Sequence, residues 1–285
     1  MAALAPDRKG KDHGRADPFR GASTVATTQR ESARAVAWEG VSKTYPNGFA
    51  AVRDVSLVAR EGEVLALLGT SGSGKTTLLK MVNRLEPETA GRVVVDGRPS
   101  TDWEPIALRR SMGYVIQEGG LMPHMTILDN VGLAAKIQGV DRATAREQAK
   151  AKLALVGLEP ERFGDQFPHG LSGGQRQRVG VARALAASDR LILMDEPFGA
   201  LDPITRREIQ EEFLRLQREL GTTVILVTHD LREACRMGDR LALLHEGRLL
   251  QTGHPADFLN DPADDYVRRF FQDAGAVEIG REAAR

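Results

Sequence analysis

The chain has one cysteine, Cys235, among 285 residues, so no internal disulfide can form. A reducing compartment fits, and the thiol reads as a small buried apolar group on a helix. Neither charge is in excess. Basic and acidic side chains number 39 each, whereas a non-specific nucleic-acid binder would carry a basic surplus. No apolar run approaches the roughly 18–20 residues that cross a bilayer. The longest, such as Val64 to Leu68 and Leu191 to Met194, have the length of buried strands. The first residues lack the apolar core of a secretion signal, so a role at a membrane is expected to come through a partner. There is no repeat of solenoid period.

The apolar content, 41%, is enough for a sizeable core. Residues 1–33 mix Gly, Pro, Arg, Lys and Asp without hydrophobic period and read as a disordered tail. A domain over 34–275 follows, with a short tail at 276–285. Val36 to Trp38, Val52 to Val58, Val64 to Leu68 and Arg92 to Val95 read as strands, the last closed by the turn Asp96-Gly97. From about 118 to 170, alanine, charge and helical spacing take over, which predicts a helical subdomain inserted into the sheet core. Leu191 to Met194, Thr223 to Val227 and Arg240 to Leu244 are continuous apolar runs of the kind found in buried parallel strands. Ile204 to Leu220 predicts an amphipathic helix, and Asp257 to Phe271 a terminal helical piece. The expected class is α/β.

Gly69-Thr70-Ser71-Gly72-Ser73-Gly74-Lys75-Thr76 follows a strand and opens the helix expected over Thr76 to Arg84. That context distinguishes a phosphate-binding loop from a glycine-rich turn. Its glycines let backbone N–H groups converge on phosphate oxygens, and the helix N-terminus adds partial positive charge. Lys75 supplies a point charge to the β- and γ-phosphates. The Thr76 hydroxyl suits Mg²⁺, which favours oxygen ligands. Asp195 and Glu196 end the strand Leu191 to Met194, where parallel sheets present ligand chemistry. Asp195 is the candidate metal ligand and Glu196 the candidate general base. The bland alternative, an exposed acidic turn before Pro197, leaves the phosphate loop without a partner.

The order of motifs resembles the nucleotide-binding subunit of ATP-binding cassette (ABC) transporters, over about Val36 to Phe271. Leu171-Ser172-Gly173-Gly174-Gln175 matches that family's signature without substitution. The resemblance implies a P-loop core with a mostly parallel sheet, an antiparallel β subdomain and an inserted helical subdomain. It implies ATP and Mg²⁺ as ligands, with Thr77 joining residues 69 to 76 around the phosphates. Gln117 then contacts Mg²⁺ or the attacking water. His229 is the switch histidine at the γ-phosphate, and Tyr45 the aromatic stacked on adenine. Asp202 lies in the loop that crosses the dimer interface. Ser172, Gly173, Gly174 and Gln175 meet the γ-phosphate held by a second copy, paired head to tail. Outside this resemblance, Tyr45 would read as packing and His229 as structural. His124, His169, His245 and His254 read as structural or surface, and Thr126 with Asp129 as a helix cap.

Within the family, no heptad insertion separates Lys75 from Ser172, unlike the chromosome and repair ATPases. The chain holds one cassette, unlike the translation factors, and no fused membrane helices, unlike many exporters. The strings Lys80 to Leu85, Gly119 to Thr126, Asp202 to Arg206 and Asn260 to Val267 resemble importers of quaternary amines such as glycine betaine, choline or carnitine. Amino-acid and lipid cassettes share parts of them. The implied setting is peripheral, at the cytoplasmic face of the inner membrane. The implied partners are integral permease subunits and an extracytoplasmic substrate-binding protein, with no nucleic acid. Two departures stand out. Few residues follow Phe271, so regulation through the paired C-terminal domain common in that branch is not expected. Glu118 stands where such relatives usually place a second glutamine.

Overall fold

The computed structural model describes residues 34–116, 120–199 and 201–273. The segments 1–33 and 276–285, expected as tails, lie outside the described residues. Two sheets sort the strands by hydrophobic pattern. The antiparallel one has the order β2 (Ala50–Arg60), β1 (Arg34–Thr44), β4 (Ala90–Val95), β5 (Arg98–Pro99). In β2 the alternation is plain at Val55, Leu57 and Ala59, buried, against Ser56 and Arg60, exposed. It slips by one residue at Asp54, whose positive φ of 50° accompanies a register shift against β1.

The second sheet has the order β10 (Arg248–Gly253), β9 (Arg240–His245), β3 (Val64–Leu68), β8 (Thr223–Thr228), β7 (Leu191–Asp195), β6 (Gly113–Val115). From β9 to β6 all neighbours are parallel, and β10 pairs antiparallel with β9. Every residue of β3, β7 and β8 is buried, as their unbroken apolar runs require of strands covered on both faces. One face, with Leu65, Leu67, Leu193, Ile225 and Val227, joins the antiparallel sheet and the helix α1 (Lys75–Val82) in a core centred on Trp38 and Leu78. The other, with Ile192, Met194, Val224 and Leu226, packs under the helices that stand between β6 and β7. These are α3 (Ile127–Val131), α4 (Leu133–Ile137), α5 (Arg142–Leu155), α6 (Pro160–Phe163) and α7 (Gly173–Ala187), after the short α2 (Pro105–Arg110). In α5 the buried residues Ala145, Ala149 and Leu153 recur every fourth position, the single stripe that faces α3 and α7. No described helix is long and apolar enough to cross a membrane.

α8 (Pro203–Leu220) precedes β8, and α9 (Leu231–Met237) follows it. Cys235 on α9 is buried, and burial pushes its thiol up to about 12, so it packs as an apolar group. The end of the chain differs from expectation. Asp257 to Phe271 is not one helical piece but two helices, α10 (Pro255–Asn260) and α11 (Asp265–Asp273). Pro262 lies in the gap. Proline disfavours helix at the residue before it and donates no N–H to continue the ladder, and Asp261 has left the helix at φ −140°. Phe258 and Phe271 close the break by stacking, with centroids 4.9 Å apart. The first helix is also shorter than expected, since α1 ends at Val82 and Arg84 turns to a positive φ of 54°.

Candidate nucleotide site

The site forms where β3, β7 and β8 end side by side. After β3 the chain turns through Gly69, at φ 150°, and Gly74, at φ 99°. A Cβ on Gly69 would sit 2.2 Å from the Leu244 carbonyl oxygen, and one on Gly74 2.4 Å from that of Ala51. Backbones of β9 and β2 thus line the loop so closely that no side chain fits. α1 starts at Lys75 with no side-chain cap and no acid in its first turn, leaving its N–H groups to an anionic ligand.

Lys75 is buried, and its Nζ donates to the carbonyls of Gly69 at 2.8 Å and Thr70 at 2.9 Å. Burial lowers its pKa, and the carboxylates of Glu196 and Asp195 pull the other way. The Thr76 hydroxyl donates to Asp195 Oδ1 at 2.8 Å. Asp195 is itself buried, which raises its pKa, and the Thr76 hydrogen bond opposes the rise. A hydroxyl and a carboxylate side by side are the oxygen donors a hard cation takes. Among the described residues no three His, Cys, Asp or Glu side chains converge on a point. The donor set therefore fits Mg²⁺ shared with phosphate oxygens and water, not an ion caged by protein alone.

Glu196 follows β7 in a left-handed conformation, φ 47°, rare for a side chain of its size. Its N–H donates to the Val227 carbonyl of β8. Its Oε1 lies 3.0 Å from Nδ1 of His229, which follows the last residue of β8. The parallel register of β7 with β8, Asp195 opposite Val227, sets this pair. Tyr45, just past β1, reaches α1, its hydroxyl 3.4 Å from Thr77 Oγ1. Lys43, fixed by the Pro87 carbonyl at 2.7 Å, lies 5.2 Å from the Tyr45 ring centroid.

So the structure gathers Tyr45, residues 69 to 77, Asp195, Glu196 and His229. The signature stands apart. Ser172 caps α7, accepting from the Gln175 N–H at 3.2 Å, while Gln175 Oε1 accepts from the Ser172 N–H at 2.9 Å. Gly173 and Gly174 form the first turn of that helix. Gly174 lies against Leu201, not against the phosphate loop. Asp202 caps α8, accepting from the N–H groups of Ile204 and Thr205, and hydrogen bonding from the Thr205 side chain, then from these N–H groups, holds its carboxyl low. Thr126 caps α3 through the Asp129 N–H, and His254 caps α10. Gln117, like Glu118, lies outside the described residues.

Sequence reading missed the polar layer beneath the switch. Glu233 on α9 is buried and accepts from Gln210 at 2.9 Å, and Arg206 meets Asp230 at 3.2 Å. Burial is the main cause that raises the Glu233 pKa, with the hydrogen bond from Thr228 opposing it. The folded chain then holds this proton more tightly than the unfolded chain. The contribution to stability is full below the ordinary value of 4.5 and is lost as pH rises through the folded one. Urea unfolding of Glu233→Gln between pH 5 and 8 should show that decline removed, with the variant at least as stable as wild type at the alkaline end. A decline equal to that of wild type would refute the assignment.

Residues 52–199 match the ABC transporter family profile. The choline transport ATP-binding protein OpuBA of Bacillus subtilis is 50% identical over 232 residues, 81% of this chain and 61% of that protein. The glycine betaine uptake system ATP-binding protein YehX of Escherichia coli is 46% identical over 81% of this chain and 73% of its own length. Among solved structures, the dimeric ABC transporter cassette MJ0796 aligns with a TM-score of 0.71 at 37% identity, covering 77% of this chain and 98% of that one. The chain spans about three fifths of the length of the Bacillus relative.

Proposed function

This chain belongs to the ABC transporter family, and from that premise we propose that it is the ATP-hydrolysing subunit of an importer of quaternary amines. The observation that supports hydrolysis is that the adjacent ends of β3, β7 and β8 carry the buried Lys75, the Thr76–Asp195 pair at 2.8 Å and the Glu196–His229 pair at 3.0 Å. The observation that supports the substrate class is likeness to proteins named for choline, carnitine and glycine betaine, 44–50% identical to this chain. The domain is taken as 34–275, with a helical subdomain at about 118–170.

ATP is the substrate. Tyr45 offers a flat face to adenine. The Lys75 ammonium exchanges the Gly69 and Thr70 carbonyls for β- and γ-phosphate oxygens. Thr76 and Asp195 would hold Mg²⁺, which would supply charge neutralisation to the phosphates, and Gln117 would join that ion or the attacking water. Glu196 takes a proton from the water as its oxygen bonds to the γ-phosphorus and the bond to the β-phosphate oxygen breaks, giving ADP and phosphate. With Nδ1 donating to Oε1, His229 fixes the carboxylate in place. Ser172 to Gln175 of a second copy supply donors from the far side, so two copies close head to tail on two ATP molecules.

The segment near Leu121 to Asn130 receives a short helix of the permease. It has the fixed shape such a contact needs. Asn130, fully buried, accepts from the Met122 N–H and donates to the carbonyls of Met122, Met125 and Thr126. The chain then works at the cytoplasmic membrane face, with a binding protein on the other side.

The test is uptake of labelled glycine betaine and choline by cells lacking the chain. Restoring it should raise uptake at least about tenfold over empty vector. Uptake that never depends on the chain, with ATPase activity intact in vitro, would discard these substrates and turn attention to amino acids and lipids.

A further inference from the structure

We propose that Arg206 is a positioning residue that ties the loop facing the signature to the switch histidine. Its guanidinium holds two segments at once. Nη2 donates to the Leu201 carbonyl at 3.0 Å, and Nη1 to Asp230 Oδ2 at 3.2 Å.

Each segment is fixed on its other side to part of the site. The Leu201 side chain abuts the signature, since a Cβ on Gly174 would come within 2.7 Å of Leu201 Cδ2. Asp202, the next residue, caps α8, the helix that carries Arg206. Asp230 directly follows His229, the partner of Glu196 at 3.0 Å. Its Oδ1 caps α9 through Arg232 and Glu233, and its N–H donates to Thr228 at 3.0 Å. Asp230 is thus a rigid handle on the strand end that bears the histidine. Glu196, His229, Arg206 and Glu233 line one small cleft.

A displacement of Leu201, as when a second chain presses on that loop, therefore reaches His229 through one planar group. Arginine suits the task because its fork holds two acceptors at a fixed angle. A lysine ammonium is a point charge that cannot set the spacing between them. Arg206 Nε is buried without a hydrogen-bond partner among the described residues.

The inference rests on the ATPase reading, and its test separates the two. Steady-state ATPase is measured for wild type, Arg206→Ala, Arg206→Lys and Asp230→Asn, with ATP affinity by equilibrium binding and folding by thermal melting. Arg206→Ala should lower kcat about tenfold while ATP affinity stays within about twofold. Arg206→Lys should recover less than half of the loss. Adding Arg206→Ala to Asp230→Asn should cost little more, since both cut the same link. If Arg206→Ala does not fold, Arg206→Lys carries the test, with a predicted kcat loss of at least threefold. An active wild type with unchanged kcat in the folded variant, or a loss that lies in ATP affinity alone, overturns the inference. An inactive wild type overturns the ATPase reading and this inference with it.

Discussion

Glu196→Gln should reduce ATP turnover by about 10²–10⁴-fold, the range a positioned general base supplies, while leaving ATP affinity within about twofold. The amide keeps the size of the side chain and can still meet Nδ1 of His229, 3.0 Å from Oε1, but it cannot take a proton from water. Binding rests instead on Lys75 and the N-terminus of α1, which the substitution does not touch. ATP should therefore accumulate unhydrolysed and, in the proposed cycle, hold two copies together. Single-turnover hydrolysis and size-exclusion chromatography with ATP test both halves. Turnover near the wild-type rate would remove Glu196 as the base. Slow turnover with no ATP-dependent dimer would keep the base and discard the closed pair.

Lys75→Ala should fail one step earlier, in binding. A charge-assisted hydrogen bond from a buried ammonium contributes roughly 1.5–3 kcal/mol, so affinity for ATP should fall about 10- to 150-fold. The loop should survive the change, because the backbones of β9 and β2 pack against Gly69 and Gly74 even when the lysine's hydrogen bonds to the Gly69 and Thr70 carbonyls are lost. A fluorescent ATP analogue titrated into wild type and variant gives the ratio directly. Unchanged affinity, with circular dichroism showing both folded, would refute the phosphate role of this loop.

Most of the site was legible because its parts lie in short contiguous strings. The runs ending in Leu68, Met194 and Val227 are almost wholly apolar, as strands buried on both faces are. Their parallel pairing follows, and with it the meeting of Lys75, Asp195, Glu196 and His229. Arg206 escaped for the opposite reason. On an amphipathic helix an arginine reads as part of the solvated face. Only the packing of α8 beside α9 brings it to Asp230, 24 positions along the chain. Glu233 and Gln210 were hidden in the same way, since charge and amide groups signal exposure unless their partners are known. The break between α10 and α11 is legible in Pro262, which disfavours helix at Asp261.

The cap at Ser172 makes one atom answer to two demands. As an end for α7, the position accepts Ser, Thr, Asn or Asp almost equally, since each offers an oxygen to the Gln175 N–H. A hydroxyl that accepts there still has its own hydrogen to give, aimed away from the helix it closes. Aspartate has no such hydrogen and brings a charge that a phosphate would meet as repulsion. Folding alone would tolerate an acid at this point, whereas facing a nucleotide bound by a neighbour would not. In the proposed closed pair, the alphabet permitted at position 172 is therefore narrower than the helix alone requires.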